Sequence, residues 1–478
     1  MTHHPTTPSG HPGVAELISF IDASPSPYHA VSTARTLLDG AGFFALDPLD
    51  HWDPEEVAQP AYVVRDGSII AWVPGQDRSA EAALRIIGAH TDSPGLRVRP
   101  RPDRSTAGWR QLGIEVYGGA LRNSWLDRDL GLAGRVAVRA DAVRDDEPDM
   151  ASHDEDRFAP PQRHGHPAST HLSFRTAGAV MRVPQLAIHL DRDVSTAGLV
   201  LNPQQHLTPV WGLGEATDGE FRRFLAEQVG VEPTDVIAWD AMAFDVQPSS
   251  VIGVDGELLA APRLDDLACC WGAIRSLIDT SKVDLPPEHT AVVVLNDHEE
   301  VGSTTATGAD GAWLAQVLER RAAALGGERV DLLRSLAGSM LASADMAHAT
   351  HPNYPERHEP QHHIRSGGGP VIKHNVNARY ATESRGAAAF RTACEQAGVH
   401  VQDYSHRGDL PCGSTIGPLT AAQLVLAQRA KAGTFTRFLR QWLRERQALS
   451  LSDAMAKCSL IPAQIMESCA PAFRRKGN

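Results

Sequence analysis

Ala291-Val292-Val293-Val294-Leu295-Asn296-Asp297-His298-Glu299-Glu300-Val301-Gly302 is the stretch on which the reading of this chain turns. Its first five residues are apolar and largely β-branched, the pattern of a buried strand, and the glycine marks where that strand's exit ends. Two carboxylates, Glu299 and Glu300, therefore stand side by side where open α/β sheets place their chemistry. One glutamate can bind a metal while its neighbour, free of the metal, takes a proton from water. Adjacent glutamates are also common on solvated surfaces, so the pair gains meaning only from company elsewhere in the chain.

Three further segments supply that company, each at an expected strand end. His90-Thr91-Asp92 follows the apolar strand Ala83–Gly88. His90 can ligate a metal while Asp92 fixes its tautomer. Pro262-Arg263-Leu264-Asp265-Asp266 precedes an apolar helix over Leu267–Ile278; one of its aspartates could bridge two cations while the other caps the helix. Ser343-Ala344-Asp345-Met346-Ala347-His348 follows the apolar Met340–Ala342. Histidine and carboxylate ligands without thiolates suit zinc, manganese or cobalt in a hydrolytic site. A shared aspartate would hold two such metals about 3.5–4 Å apart.

The rest of the chain sets the frame. Its 478 residues exceed one compact core and suffice for two domains. A net charge of −13 argues against a general nucleic-acid binder. No segment approaches a transmembrane run, and the N-terminus lacks a cationic and apolar leader, which together give a cytoplasmic expectation without membrane partners. The six cysteines form no Cys-x-x-Cys pair and read as buried free thiols in a reducing compartment. Helical spacing over Val14–Ile21 and Ala30–Leu38, with strands at Ala61–Val64 and Ser68–Val73, makes residues 1–96 the first part of an α/β catalytic domain. Residues 97–246 alternate apolar and polar positions, at Gly113–Tyr117, Arg135–Arg139 and Gln185–Leu190, and read as an inserted β-rich domain of mostly antiparallel strands. Within it, Asp141–Thr170 is short of large apolar residues and reads as a mobile loop or lid; His153, His164, His166 and His171 fall in or beside it without metal-ligand spacing. Residues 247–424 return to α/β. Residues 425–478 carry ten Lys/Arg against three Asp/Glu and read as an atypical basic helical tail.

The chain resembles the M18 metallopeptidases, the aspartyl aminopeptidase family, in bacterial form. The matching stretches include Ser24-Pro25-Ser26-Pro27-Tyr28-His29-Ala30-Val31, Ala89-His90-Thr91-Asp92-Ser93-Pro94, Trp125-Leu126-Asp127-Arg128-Asp129-Leu130 and Pro184-Gln185-Leu186-Ala187-Ile188-His189-Leu190. The catalytic half adds Ala261-Pro262-Arg263-Leu264-Asp265, the Asn296–Gly302 stretch, Ser343 through Tyr354, Gly369-Pro370-Val371-Ile372-Lys373, Arg379-Tyr380-Ala381-Thr382, and Pro411 through Pro418. The resemblance covers about residues 14–424. It implies a zinc-peptidase catalytic domain with a central mixed sheet flanked by helices, interrupted by a β-rich dimerisation domain. It implies two zinc ions per subunit, with His90 and Asp345 on one, Asp265 bridging and Glu300 on the second. Glu299 would be the general base and Asp92 would orient His90. Lys373, Tyr380 and His348 would line the substrate pocket, and His189 would reach a neighbouring subunit's active site. The implied activity is removal of N-terminal residues from peptides, acidic ones preferred, through a metal-activated water, in a homo-oligomer such as a dodecamer built from dimers.

One departure stands out. Family members continue beyond the Pro411–Pro418 stretch to a Met-His-Ser segment whose histidine completes the second zinc, and this chain has no histidine after His406. Gene fusion, deletion or a sequencing error would each produce such a junction. The tail is similar instead to the C-terminal end of amidohydrolase-type N-acyl-amino-acid deacylases, at Leu449–Met455 and Ala470–Lys476. The expectations to set against an active aminopeptidase are therefore an impaired subunit that assembles with intact paralogues and, more remotely, a deacylase.

Overall fold

A computed structural model describes residues 12–143, 157–158, 169–377 and 380–410. His153, His164, His166, most of the expected lid, Arg379, the Pro411–Pro418 stretch and the tail 425–478 lie outside the described residues. The protein is mixed α/β, with several sheets and, among the described residues, no closed barrel. The described residues divide into two compact units: one gathers those up to Ser24, Thr33–Asp92 and those from Ser249 onward, and the other gathers Pro25–Ser32 and those between Ser93 and Pro248.

The first unit is built on a six-stranded sheet. Its strands lie in the order Phe44–Leu46, Ala61–Arg65, Ser68–Val73, Thr290–Asn296, Leu84–His90 and Met340–Ser343. The β-branched run of the opening stretch occupies the interior, with every residue from Thr290 to Leu295 fully buried. It runs antiparallel to Ser68–Val73 and parallel to Leu84–His90, which in turn runs parallel to Met340–Ser343. Period-two alternation sends Ile70, Trp72, Leu84, Ile86, Val292 and Val294 to one face, where Trp313, Leu318, Leu332 and Leu336 from two helices cover them. The helix Leu264–Ser281 packs over the strands Leu84–His90 and Thr290–Asn296. It begins at Leu264, three residues before its apolar run at Leu267, and Asp265 and Asp266 depart from helical φ/ψ inside that first turn. A smaller pair of parallel strands, Val371–His374 and Gln402–Ser405, carries Lys373.

The second unit is a seven-stranded antiparallel sheet in the order Val210–Leu213, Trp109–Tyr117, Gly95–Thr106, Val236–Asp245, Leu130–Arg139, Ser169–Arg175 and Arg157–Phe158. One face is closed by the helix Glu220–Val229, whose Phe221 and Leu225 join Leu96, Leu112, Leu132 and Val236 in the core. Pro25–Ser32, read from sequence with the first catalytic segment, clusters here. Its Tyr28 hydroxyl donates to Asp240 at 3.1 Å, and Arg135 lies 4.2 Å above the Tyr28 ring. Ser169 and Thr170, the end of the expected lid, belong to a strand, and His171 pairs there with Ala137.

One expected strand is absent. Gln185–Leu190 alternates as a strand should, yet it forms a loop and turn in which Leu186, Ile188 and Leu190 are 56%, 52% and 75% exposed. Alternation makes one apolar face, but a strand is made only by pairing with an edge, and Gln185–Leu190 joins none of the sheets among the described residues. The burial of the central strands gives a direct test. Ile87→Ala should cost about 2–5 kcal/mol in urea unfolding, whereas the fully exposed Val254→Ala should stay within about 0.5 kcal/mol of the parent protein.

Candidate metal centre

Three neighbouring strands run parallel, so their C-terminal ends lie on one edge of the sheet. His90 is the last residue of one, Asn296 ends the next opposite it, and Ser343 ends the third two residues before Asp345. The turn after Asn296 is tight. His298 adopts φ +64°, a left-handed value uncommon for a residue with a side chain, and its imidazole is held by the hydroxyls of Thr305 at 3.0 Å and Thr307 at 3.3 Å. Glu299 and Glu300 then start a single 3₁₀ turn ending at Val301, closed by Gly302 at φ +101°.

The side chains converge on His90, which is 4% exposed. Its Nε2 lies 3.3 Å from Asp265, 3.8 Å from Glu299, 3.9 Å from Asp345 and 4.0 Å from Asp266. Two groups of donor atoms close to within 4.8 Å of one another: His90, Asp265, Asp266 and Asp345, and His90, Glu299 and Glu300. His90 Nδ1 meets the Asp92 backbone carbonyl at 3.0 Å and its carboxylate at 3.4 Å. With Nδ1–H donated there, Nε2 is the nitrogen left to accept a cation. The Asp92 carboxylate has a further task that the sequence did not suggest: it accepts the backbone N–H groups of Glu299 at 3.0 Å and Glu300 at 3.1 Å.

The electrostatics are those of a cation site. Burial pushes the Glu299 carboxyl up to about 7 and that of Glu300 to about 8, with the neighbouring carboxylates adding to the rise and His90 opposing it. Burial likewise holds Asp266 well above the usual carboxylate range. For His90 burial acts downward, but Asp266, Asp265, Asp345 and Asp92 outweigh it and raise the imidazole well above its ordinary value. Protons thus gather where a positive charge is wanted. Asp266 Oδ1 is buried with no hydrogen-bond partner, and the donors are histidine and carboxylate only. The residues present therefore fit a divalent ion that accepts nitrogen and oxygen ligands.

The other expected site residues fall as follows. Lys373, 8% exposed, donates to the Met346 carbonyl at 3.2 Å, approaches Asp345 at 3.8 Å and lies 5.3 Å from the Tyr380 ring. It and Tyr380 thus join the centre through Asp345. His348 is exposed and belongs to neither donor group; its charge bears on His358, in a histidine-bearing loop with His351 and His363. His189 sits exposed in the second unit, within the Gln185–Leu190 stretch. The helix-cap role weighed for one of the aspartates is not what the structure shows. The N-cap is Arg263, without a side-chain cap, and Asp266 instead accepts the His90 backbone N–H at 3.1 Å. The doublet Asp265-Asp266 was the available signal, but spacing alone does not say which member points inward.

The family model described as aminopeptidase I zinc metalloprotease (M18) matches residues 20–156 and 163–427. A probable M18 family aminopeptidase 2 of Mycobacterium leprae is 47% identical over 409 residues, covering 86% of this chain and 89% of that relative. One of the same description from Streptomyces avermitilis is 46% identical over 409 residues, covering 85% and 88%. Among solved structures, the S. cerevisiae mApe1 dodecamer superposes with a TM-score of 0.72 at 27% identity, over 90% of this chain and 95% of that one. The chain belongs to the M18 family of aminopeptidases, hydrolases that act on peptides.

Proposed function

We propose that this aminopeptidase is zinc-dependent and prefers acidic N-terminal residues. The observation that carries the reading is the convergence of His90, Asp265, Glu299, Glu300 and Asp345 on one sheet edge. His90 Nε2 and Asp345 would hold one zinc, Asp265 would bridge and Glu300 would hold the second; manganese or cobalt suits the same donors. When bound, the metal supplies Lewis acidity to water and to the substrate carbonyl. Glu299, whose carboxylate lies 3.8 Å from His90 Nε2, would take the proton from the attacking water and return it to the leaving amine. Asp92 keeps both glutamates and the His90 ring in register. Lys373 offers a nearly buried positive charge beside Asp345, suited to an acidic substrate side chain. Tyr380 fixes that ammonium from the ring side, and His348 lies downstream of Asp345 on the segment that would border the substrate.

The stretch with exposed Leu186, Ile188 and Leu190 is suited to contact a second copy of the chain, which would carry His189 toward that copy's site. The relative solved as a dodecamer supports a homo-oligomer. A cytoplasmic setting suits the buried free thiols Cys269, Cys270 and Cys394, and no helix among the described residues is long and apolar enough to cross a membrane. The impaired-subunit and deacylase readings rest on the missing histidine and the tail alone, and the matches to known proteins lend them no support.

Activity, metal binding and assembly each test this reading. Zinc-loaded protein should cleave peptides with N-terminal Glu faster than those with N-terminal Leu, and Glu299→Gln should lower kcat by about 10²–10⁴ with bound zinc retained; full activity in that variant would sink the assignment of the base. The pH dependence has a fixed sign. Carboxyls raised to about 7 and 8 hold protons in the metal-free fold, so its stability falls as pH rises from the ordinary carboxylate range through those values. Zinc must displace these protons, and the rise in Tm on adding zinc should be larger at pH 8 than at pH 6. Finally, replacing Ile188 and Leu190 together by Asp should lower the mass seen in sedimentation while far-ultraviolet dichroism stays unchanged; a parent protein that is already monomeric would refute the oligomer.

A further inference from the structure

The strand Leu84–His90 outruns its neighbour. Met340–Ser343 pairs with Arg85 through Gly88, and the last rung between them is the Ala344 N–H donating to the Gly88 carbonyl at 2.7 Å. In a parallel ladder, alternate residues present both N–H and C=O to the same neighbour. His90, two residues beyond Gly88, therefore directs both of its backbone groups to a side where the strand has already ended. A buried backbone group left without a partner is costly, yet here both are met. The His90 N–H donates to Asp266 Oδ2 at 3.1 Å, and the Cys270 thiol donates to the His90 carbonyl at 2.9 Å. Both side chains come from the helix Leu264–Ser281, and both residues are fully buried.

We infer that Asp266 and Cys270 are positioning residues for the metal centre: from one helix they replace the missing strand, gripping His90 by its backbone on both sides of its Cα. The same helix carries Asp265, whose carboxylate faces His90 Nε2 at 3.3 Å. The grip therefore sets the spacing between two donors that come from different elements, the end of a strand and the start of a helix. It leaves the imidazole to Asp92, which meets the ring at Nδ1, so backbone position and ring orientation have separate keepers. Asp266 acts through His90 here and not as a ligand, even though its carboxylate lies in the same donor group.

This inference rests on the zinc reading given above. Zinc affinity is measured by chelator competition on metal-stripped protein for the parent, Asp266→Ala, Asp266→Asn, Cys270→Ala and Cys270→Ser, with thermal unfolding of each metal-free protein alongside. Asn keeps an acceptor and Ser keeps a donor. The alanine variants should bind zinc ten- to a hundredfold more weakly, the range for groups that hold a ligand from outside, while Asn and Ser stay within a few-fold of the parent. Alanine variants with parental affinity overturn the inference. So does an Asp266→Asn variant that loses as much as Asp266→Ala, which would make Asp266 a ligand itself. If an alanine variant does not fold, the conservative pair decides: retention supports the grip, and a tenfold or greater loss in either overturns it. A parent protein that binds no zinc, or a His90→Ala variant that binds it as well as the parent, brings down the zinc reading and this inference together.

Discussion

The Asp92 carboxylate, accepting the backbone N–H groups of Glu299 and Glu300, is the contact on which the centre depends. It joins the loops leaving two adjacent parallel strands, so the histidine of one and the glutamates of the other cannot drift independently. A carboxylate that accepts two backbone donors also neutralises part of the positive end of the short 3₁₀ turn. Because Asp92 reaches His90 Nδ1 as well, one side chain and its own carbonyl fix the ring and the glutamate pair together.

The sheet's direction explains why the donors meet at all. Parallel neighbours deliver their exits to a common edge, and three of them deliver His90, the Glu299-Glu300 turn and Asp345 within a few ångströms. The remaining donor, Asp265, comes from a helix held down by Arg263, whose guanidinium donates to the Ser24 and Ile21 carbonyls at 3.1 and 3.3 Å. Concentrating so many carboxylates beside one histidine is unfavourable unless a cation or protons compensate them. Burial first, and then the neighbouring carboxylates, raise the Glu299 and Glu300 carboxyls, so that protons can compensate part of this charge.

Much of this was legible in the sequence. The β-branched run at Ala291–Leu295 announced a central strand because a strand buried on both faces needs no polar alternation. Four short segments pointed to candidate donors because three placed His, Asp or Glu after an apolar run and the fourth set Asp265-Asp266 just ahead of one. What was not legible depended on contacts between distant residues. Nothing in His90-Thr91-Asp92 shows that Asp92 will serve the glutamates two hundred residues later, and nothing in Asp265-Asp266 shows which carboxylate turns toward the His90 backbone. The Gln185–Leu190 stretch failed for a related reason. Its alternation was real, but a strand is made by its partner, and no local pattern supplies one.

The two adjacent sulfurs beneath the centre have a chemical consequence of their own. Burial raises the thiols of Cys269 and Cys270 well above their ordinary range, with the Asp266 charge adding to it. A protonated thiol is a poor ligand and a poor nucleophile. The Cys270 sulfur therefore contributes a hydrogen bond without offering a thiolate, and the candidate centre's donors stay nitrogen and oxygen, a set that suits hard and borderline ions better than thiophilic ones such as copper(I).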